Sequence, residues 1–555
     1  MATSLLHAGL PQLSLRRISP ASRPIFFNQK LHGRLGLLSS PFSRKGLGQQ
    51  RYATEDGFSL ADWSSESSKR VKSQDDSNNY VDAMGDIKRQ LEELFDNVKT
   101  MIKKGNKDDA LDLLLANYEM VKEQLNNGLK GIEQAAILDV LALGYMGVGD
   151  IKIAEHLLKL LNEIVSTLHD GLPLLDTILI HMGSMYTSLR MFDNALLVYG
   201  RGLKIIEKEC GSQSPFLITP LLGMAKALNL IGRPSKAITI YQRSIAILEM
   251  VRGTDSEELV IPLFSLGNIF ICEGKAAEAE SCFSSILRIY KISYGENDGR
   301  VGVAMCSLAH AKCAKGSLDE AICLYKNGLQ VIKDTNYMDL DDNILEHMRI
   351  DLAELLHLTG REREGRQLLE ECLLINERYK GSNHPESVAH LLNLATSYSH
   401  SKNFVEAERL LRTSLHIISQ TKGPEDNSIT VPMLHLAVVL YQLKQDEEAE
   451  MFALEAVRIR EATLGKESLP VGEALDCLVS IQTRLGKDDD DILSKLKRIL
   501  SIQEKELGFQ SEETITTLKK VVFYLNKMGK KDELLPLQRR LSMLKKKIKQ
   551  RAPVF

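Results

Sequence analysis

The sequence predicts an all-α protein, a right-handed α-solenoid of about eleven helix–turn–helix repeats. A small residue returns at a nearly constant interval along most of the 555 residues. The apolar residues around it are spaced three, four and seven apart, which is the pattern of amphipathic helices. Aromatic residues make up only 6% of the chain, a low share for a β-sandwich or barrel. A period held this tightly indicates one repeat array rather than several domains.

The small residue that fixes the register lies in the second helix of each predicted repeat. Successive register residues are 41 to 44 positions apart. They are Ala110, Ala154, Ala195, Ala237, Ala279, Ala321, Gly365, Ala407 and Ala449, and weaker ones follow near Ile492 and Leu534.

The surroundings of the register residue also recur. In six repeats a Gly stands five positions before it, where a helix C-terminus needs a positive φ. A large residue followed by a small one stands thirteen and twelve positions before it, as in Leu266-Gly267, and another large residue, such as Phe283, stands four after it. Small residues on facing helices let the two axes approach, and large ones fill the groove between neighbouring hairpins.

This unit resembles the tetratricopeptide repeat, with one departure in length. The familiar unit has about 34 residues, whereas this one has about 42, which is similar to the repeats of kinesin light chains. The connector Lys380-Gly381-Ser382-Asn383-His384-Pro385 looks like the Gly-x-x-His-Pro linkers of that family. The resemblance covers residues 86–545 and implies a superhelix that binds protein segments on its concave face. The heptad coiled coil that holds the motor in kinesin light chains has no counterpart here, so a motor subunit is not predicted.

The first 54 residues have the composition of an organelle transit peptide. They hold eight Lys and Arg and no Asp or Glu, as import sequences do. The first fifteen contain no Lys, Arg, Asp or Glu and begin Met1-Ala2-Thr3-Ser4, which resembles plant plastid precursors and predicts the chloroplast stroma. The alternative is the mitochondrion, because Arg51-Tyr52-Ala53 resembles a mitochondrial processing site.

The remaining boundaries follow from composition. Residues 55–85 are rich in Ser and mixed charges and predict a flexible linker. Residues 86–545 form the predicted repeat domain, and 546–555 a basic C-terminal tail. No stretch is long and apolar enough to span a membrane.

No catalytic, cofactor or metal-binding motif is present, so a non-enzyme without cofactor or metal is predicted. The eight Cys have no zinc-type spacing and are expected to be buried, reduced thiols. The run from Asp488 to Asp491 lacks the Gly and terminal Glu of an EF-hand loop and is expected to cap a helix. His181, His310, His400 and His435 lie on first helices and are expected at the surface.

The predicted binding site is the concave face lined by the first helices. The register places ten side chains there, and amides among them can hold an extended peptide backbone. These residues are Lys226, Asn229, Asn268, His310, Glu354, His357, Asn393, His400, His435 and Tyr441. The expected partner is a protein or peptide. Nucleic acid is not expected, because the net charge of −3 becomes −11 once the first 54 residues are set aside.

The sequence therefore predicts a non-catalytic organellar scaffold or adaptor that binds partner peptides and assists the assembly or maintenance of a multi-subunit complex. Two alternatives remain open at this point. One is an RNA-binding helical-repeat factor of organellar gene expression, and the other is a cytosolic cargo adaptor like the kinesin light chains. The sequence does not specify the oligomeric state.

Overall fold

The computed structural model describes residues 78–551, with side chains from 88 to 544. Twenty-two α-helices follow one another within this range and no β-strand occurs there, so the all-α prediction is confirmed. The helices pair into eleven hairpins, the number that the repeat predicts. The predicted transit peptide (1–54) and most of the predicted linker (55–85) lie outside the described residues.

The described chain divides into two compact units, and the first, the N-terminal unit, extends to Met338. It contains six hairpins, in which odd-numbered helices are first helices and even-numbered ones second helices. They are α1 (Asn78–Lys103), α2 (Lys107–Asn126), α3 (Ile132–Val148), α4 (Ile151–Thr167), α5 (Leu175–Ser188), α6 (Phe192–Cys210), α7 (Ile218–Leu230), α8 (Pro234–Arg252), α9 (Val260–Cys272), α10 (Ala276–Tyr294), α11 (Gly299–Lys315) and α12 (Leu318–Asp334).

The second unit, the C-terminal unit, begins at Asp339 and contains the other five described hairpins. They are α13 (Asn343–Leu358), α14 (Glu362–Lys380), α15 (Ser387–His400), α16 (Phe404–Thr421), α17 (Thr430–Gln442), α18 (Asp446–Leu464), α19 (Leu469–Arg484), α20 (Asp489–Glu506), α21 (Glu512–Lys527) and α22 (Lys531–Arg551).

The observed boundaries differ from the predicted ones in three places. Helix α1 begins at Asn78, inside the predicted linker, and α22 continues to Arg551, past the predicted end at 545. No Pro lies between 78 and 103, and neither Pro nor Gly lies between 537 and 551, so no helix breaker stops either helix at the predicted positions. The single predicted domain is also divided in two, between Met338 and Asp339.

The turns within the hairpins follow the predicted glycines. The six predicted positions all have φ between 72° and 98°, the left-handed region in which only Gly is unstrained. They are Gly105, Gly149, Gly232, Gly274, Gly316 and Gly360. In three other hairpins Arg190, Lys402 and Lys444 adopt the same conformation, with φ between 60° and 64°.

The register residues form the contact between the two helices of each hairpin. Every Ala among them is at most 1% exposed. The predicted pairing of small with large residues is also present, because a Cβ built on Gly267 would lie 2.8 Å from the Phe283 ring. The one register residue without a Cβ, Gly365, has the His357 ring beside it at 2.6 Å from where the Cβ would be. The hairpins are therefore packed as the repeat predicts.

Arginines connect one hairpin to the preceding one. Arg201, six positions after a register residue, donates to the carbonyl oxygens of Val165 (2.8 Å) and Leu168 (2.6 Å) at the end of α4 and pairs with Asp170. A cation there donates hydrogen bonds to the last carbonyl groups of the helix, which have no partner within it, and is attracted by the negative end of the helix dipole. Arg243 on α8 makes the equivalent contact with the end of α6, where it donates to Glu207 and to the Ser212 carbonyl oxygen.

Candidate peptide-binding site

Three predicted site residues in the N-terminal unit occupy one recurring position on successive first helices. Lys226, Asn268 and His310 lie 42 residues apart on α7, α9 and α11, and each is half-buried. Asn229 lies one turn further along α7 and is also half-buried. The amides of Asn229 and Asn268 make no hydrogen bond with the described residues. Each of these two amides therefore has an N–H donor and a C=O acceptor available for a ligand, and both amides lie on well-defined helices.

The C-terminal unit has a second, shorter row. Asn393 on α15 and His435 on α17 are again 42 residues apart and half-buried. The Asn393 amide also has no hydrogen-bond partner within the described residues. Glu354 on α13 is exposed, and His400 is the half-buried last residue of α15.

The two half-buried histidines of these rows, His310 and His435, are neutral groups. Burial, followed by the positive charge of Arg460, lowers the pKa of His435 to about 4. Burial alone lowers the pKa of His310. At neutral pH each ring can therefore donate and accept a hydrogen bond but carries no charge. Both rings are half-buried, as are His181 and His400, whereas the sequence prediction placed these first-helix histidines at the surface.

Two other predicted site residues, His357 and Tyr441, have side chains that contact other helices of the protein. His357 Nε2 lies 2.6 Å from the Ser397 hydroxyl oxygen and Nδ1 lies 2.5 Å from the Ala353 carbonyl oxygen, so this ring joins α13 to α15. The Tyr441 ring is covered by the Arg484 guanidinium, 3.2 Å from its centroid. Both side chains contribute to packing between helices, and they remain only predicted as ligand contacts.

The sequence reasoning missed a contact between a buried carboxyl group and a histidine in the N-terminal unit. Asp139 on α3 is completely buried, and its Oδ2 atom lies 2.6 Å from His181 Nδ1 on α5. Its Oδ1 atom has no hydrogen-bond partner among residues 88–544. Burial raises the pKa of Asp139, and the neighbouring His181 opposes this shift. The available signal was an Asp inside the apolar run from Ala135 to Gly149.

The cysteines and acidic residues support no reactive or metal centre in the described range. All eight Cys are free; Cys282, Cys306, Cys372 and Cys477 are buried as predicted, but Cys272 and Cys323 are exposed. Burial raises the pKa of Cys282 to about 11, so its thiol stays protonated. No group of side chains between 88 and 544 has the arrangement of a metal site.

Two further predictions concern helix ends and membrane spans. Asp488 accepts a hydrogen bond from the Asp491 backbone N–H at 3.2 Å, so the acidic run caps α20 as predicted. None of the described helices is both long and apolar enough to cross a bilayer.

Two units of stacked hairpins, with polar rows repeating along their first helices, define an all-α hairpin-repeat protein. Residues 174–250, 344–420 and 387–462 match the family model of the tetratricopeptide repeat, and the chain thus carries tetratricopeptide repeats. The matched segments begin at or next to the first residues of α5, α13 and α15, so the sequence family and the hairpins agree in register.

Comparison with known proteins finds relatives over part of the chain. A clustered mitochondria protein homolog from Emericella nidulans is 25% identical over 197 residues, which are 35% of this chain and 16% of that protein. The chain thus matches only a small part of the length of this relative. Repeats of a kinesin light chain type from Podosopora anserina are 20% identical and cover 38% of this chain and 97% of theirs, with a TM-score of 0.35. The quorum sensor NprR from B. thuringiensis is 14% identical, covers 67% of this chain and 99% of its own, and has a TM-score of 0.42.

Proposed function

We propose that the protein is a non-catalytic interaction scaffold that binds extended segments of partner proteins along the first helices of its repeats. The observation that carries this proposal is the set of three half-buried amides, Asn229, Asn268 and Asn393, without hydrogen-bond partners in the described chain. An extended peptide exposes one N–H and one C=O per residue, and an amide side chain can pair with both.

The proposal is tested by comparing partner capture by two variants. Asn229→Ala combined with Asn268→Ala removes two hydrogen bonds to a bound peptide, at ~1 kcal/mol each, so we expect about tenfold or greater loss of bound partner. The matched control is Asn126→Ala with Asn162→Ala, two exposed amides on second helices. Quantitative mass spectrometry of co-purified proteins measures the difference. Equal recovery of the same proteins by both variants would contradict the proposal.

We further propose that the scaffold works inside an organelle, where it assists a multi-subunit complex, with residues 1–54 as the import address. The support is the leader's eight basic residues without an acidic one. Leader composition alone favours the chloroplast, whereas the name of the relatives, clustered mitochondria protein homolog, favours the mitochondrion.

A pair of reporter fusions tests this address. A fluorescent protein joined to the full chain should enter an organelle in leaf cells, and the marker with which it co-localises distinguishes chloroplast from mitochondrion. The same fusion with Gln at all eight basic leader positions should remain in the cytosol. Cytosolic fluorescence of the unaltered fusion would refute the organellar function.

A further inference from the structure

The charge of the C-terminal unit is divided sharply along its sequence. Residues 339–533 contain 25 Lys and Arg against 35 Asp and Glu, a net charge of −10. Residues 534–551 contain seven Lys and Arg and no acidic residue. All of this second segment belongs to one helix, α22, so the excess of positive charge is concentrated on one element of a unit that is otherwise acidic.

Ion pairs neutralise several of the basic residues that precede this segment and one residue within it. Lys527 pairs with Asp489 at 2.7 Å, Lys530 with Asp490, and Lys497 with Glu533. Within α22, Arg540 pairs with Glu504. Arg539 has no acidic partner among the described residues, and the other five basic residues of the segment stand at positions 545, 546, 547, 549 and 551.

Helix α22 carries apolar side chains on its exposed face as well as on the face that packs against the core. Leu534, Leu541 and Leu544 are buried in the core of the C-terminal unit. On the outward face, Leu535 and Met543 are 52% and 61% exposed, and they flank Arg539 at a spacing of four residues. Two large apolar side chains thus lie beside an unpaired cation on the solvent side, and the basic positions 546 and 547 follow at the next turn.

We propose that the outward face of α22 docks on an anionic lipid surface. A helix with exposed apolar side chains, an unpaired Arg between them and a run of Lys and Arg without an intervening acidic residue fits the boundary between acyl chains and negatively charged headgroups. The lipid surface is favoured over single-stranded RNA because α22 contains no Phe, Tyr, Trp or His on which bases could stack. It is favoured over an acidic peptide because Leu535 and Met543 gain burial in a bilayer boundary.

The test uses the full chain and vesicles of phosphatidylcholine with about 30 mol% phosphatidylglycerol. All proteins compared carry Gln at the eight basic positions of residues 1–54, so that the leader cannot bind the vesicles. The first variant adds Lys545, Lys546, Lys547 and Lys549→Gln. The matched control adds Lys422, Lys444, Lys466 and Lys505→Gln, which removes the same charge from exposed positions elsewhere in the C-terminal unit. Circular dichroism verifies equal helicity.

Flotation should recover two proteins with the anionic vesicles: the parent, which carries only the leader substitutions, and the matched control. The recovery of both should fall when the salt concentration is raised. The α22 variant should bind about tenfold more weakly or worse. Leu535→Gln with Met543→Gln should also weaken binding. The proposal is overturned if the parent does not float, if the α22 variant floats as well as the control, or if an RNA oligonucleotide or poly-glutamate binds α22 more tightly than the vesicles do. None of these outcomes depends on the peptide rows of the first helices.

Discussion

At the scale of single residues, Asp139 and His181 are the buried pair whose loss should be most costly. Removing His181 leaves the buried Asp139 carboxyl group without its contact to Nδ1, and the typical cost of leaving such a buried group uncompensated is about 3–5 kcal/mol. We therefore expect His181→Leu to lower the free energy of unfolding by about 3 kcal/mol. Adding Asp139→Leu removes the orphaned carboxylate, so the double variant should recover part of this loss. Urea denaturation followed by circular dichroism measures both.

The pH dependence gives this prediction a second readout. Burial raises the pKa of Asp139 in the folded state, so its contribution to stability is complete below the unfolded pKa of about 4 and is lost as the pH rises through the folded pKa. In His181→Leu no histidine opposes this shift. Its free energy of unfolding should therefore fall with rising pH more steeply than that of the double variant. Parallel pH profiles for the two would show that Asp139 is not the cause.

The sequence could not show which of the predicted site residues have side chains free to contact a ligand. The 42-residue period assigns Asn268 and Asn393 to first helices, and both are half-buried there. The same period gives no sign that His357 lies against Gly365 and Ser397, or that Arg484 covers Tyr441. Those contacts depend on rotamers and on side chains from a neighbouring hairpin, about which a register derived from one repeat carries no information.

At the scale of helices, the close approach of α9 and α10 depends on a small residue facing a ring. Gly267→Ala would place a Cβ 2.8 Å from the Phe283 ring and should destabilise the protein by about 1–3 kcal/mol. Phe283→Leu shortens the opposing side chain and leaves space. We expect the double variant to be less destabilised than the sum of the single variants, with a coupling above about 0.5 kcal/mol. Thermal unfolding of the four proteins measures it, and additive effects would show that the two residues do not limit the helix spacing.

The helices and their turns were the most predictable level of this structure. Six turns were marked by Gly, because only Gly adopts a positive φ without strain. The turns at Arg190, Lys402 and Lys444 have the same φ, but the residue type there gives no local signal of it. The inter-hairpin arginines did carry a signal that sequence reasoning missed: Arg201 and Arg243 stand at the same distance from their register residues.

At the scale of the whole molecule, sequence predicted the number of hairpins but not their division into two units. The interval from Ala321 to Gly365, which contains the division, is 44 residues rather than 42. The same interval separates Ala110 from Ala154 inside the N-terminal unit, so its length does not mark a boundary. What distinguishes the units is which side chains share a core, and this is a property of the folded chain.

Each unit contains its own core, and we therefore expect each to fold alone. The core of the C-terminal unit is formed by residues between Ala353 and Leu544, and the cores of the N-terminal unit by residues between Leu91 and Ala311. Fragments 78–338 and 339–551 should retain native helicity and unfold cooperatively, because neither cut divides a core. Circular dichroism melts of the purified fragments measure this.

A cut after residue 212 provides the control for this prediction. It separates Ile206 from Leu217 and Leu221, which belong to one core cluster. Fragment 78–212 should therefore expose apolar surface that the intact N-terminal unit buries, and its melting temperature should be lower than that of 78–338. If 339–551 were unfolded alone, or if 78–212 melted as high as 78–338, stability would not follow the core boundaries, and the hairpins would instead stabilise one another pair by pair along the chain.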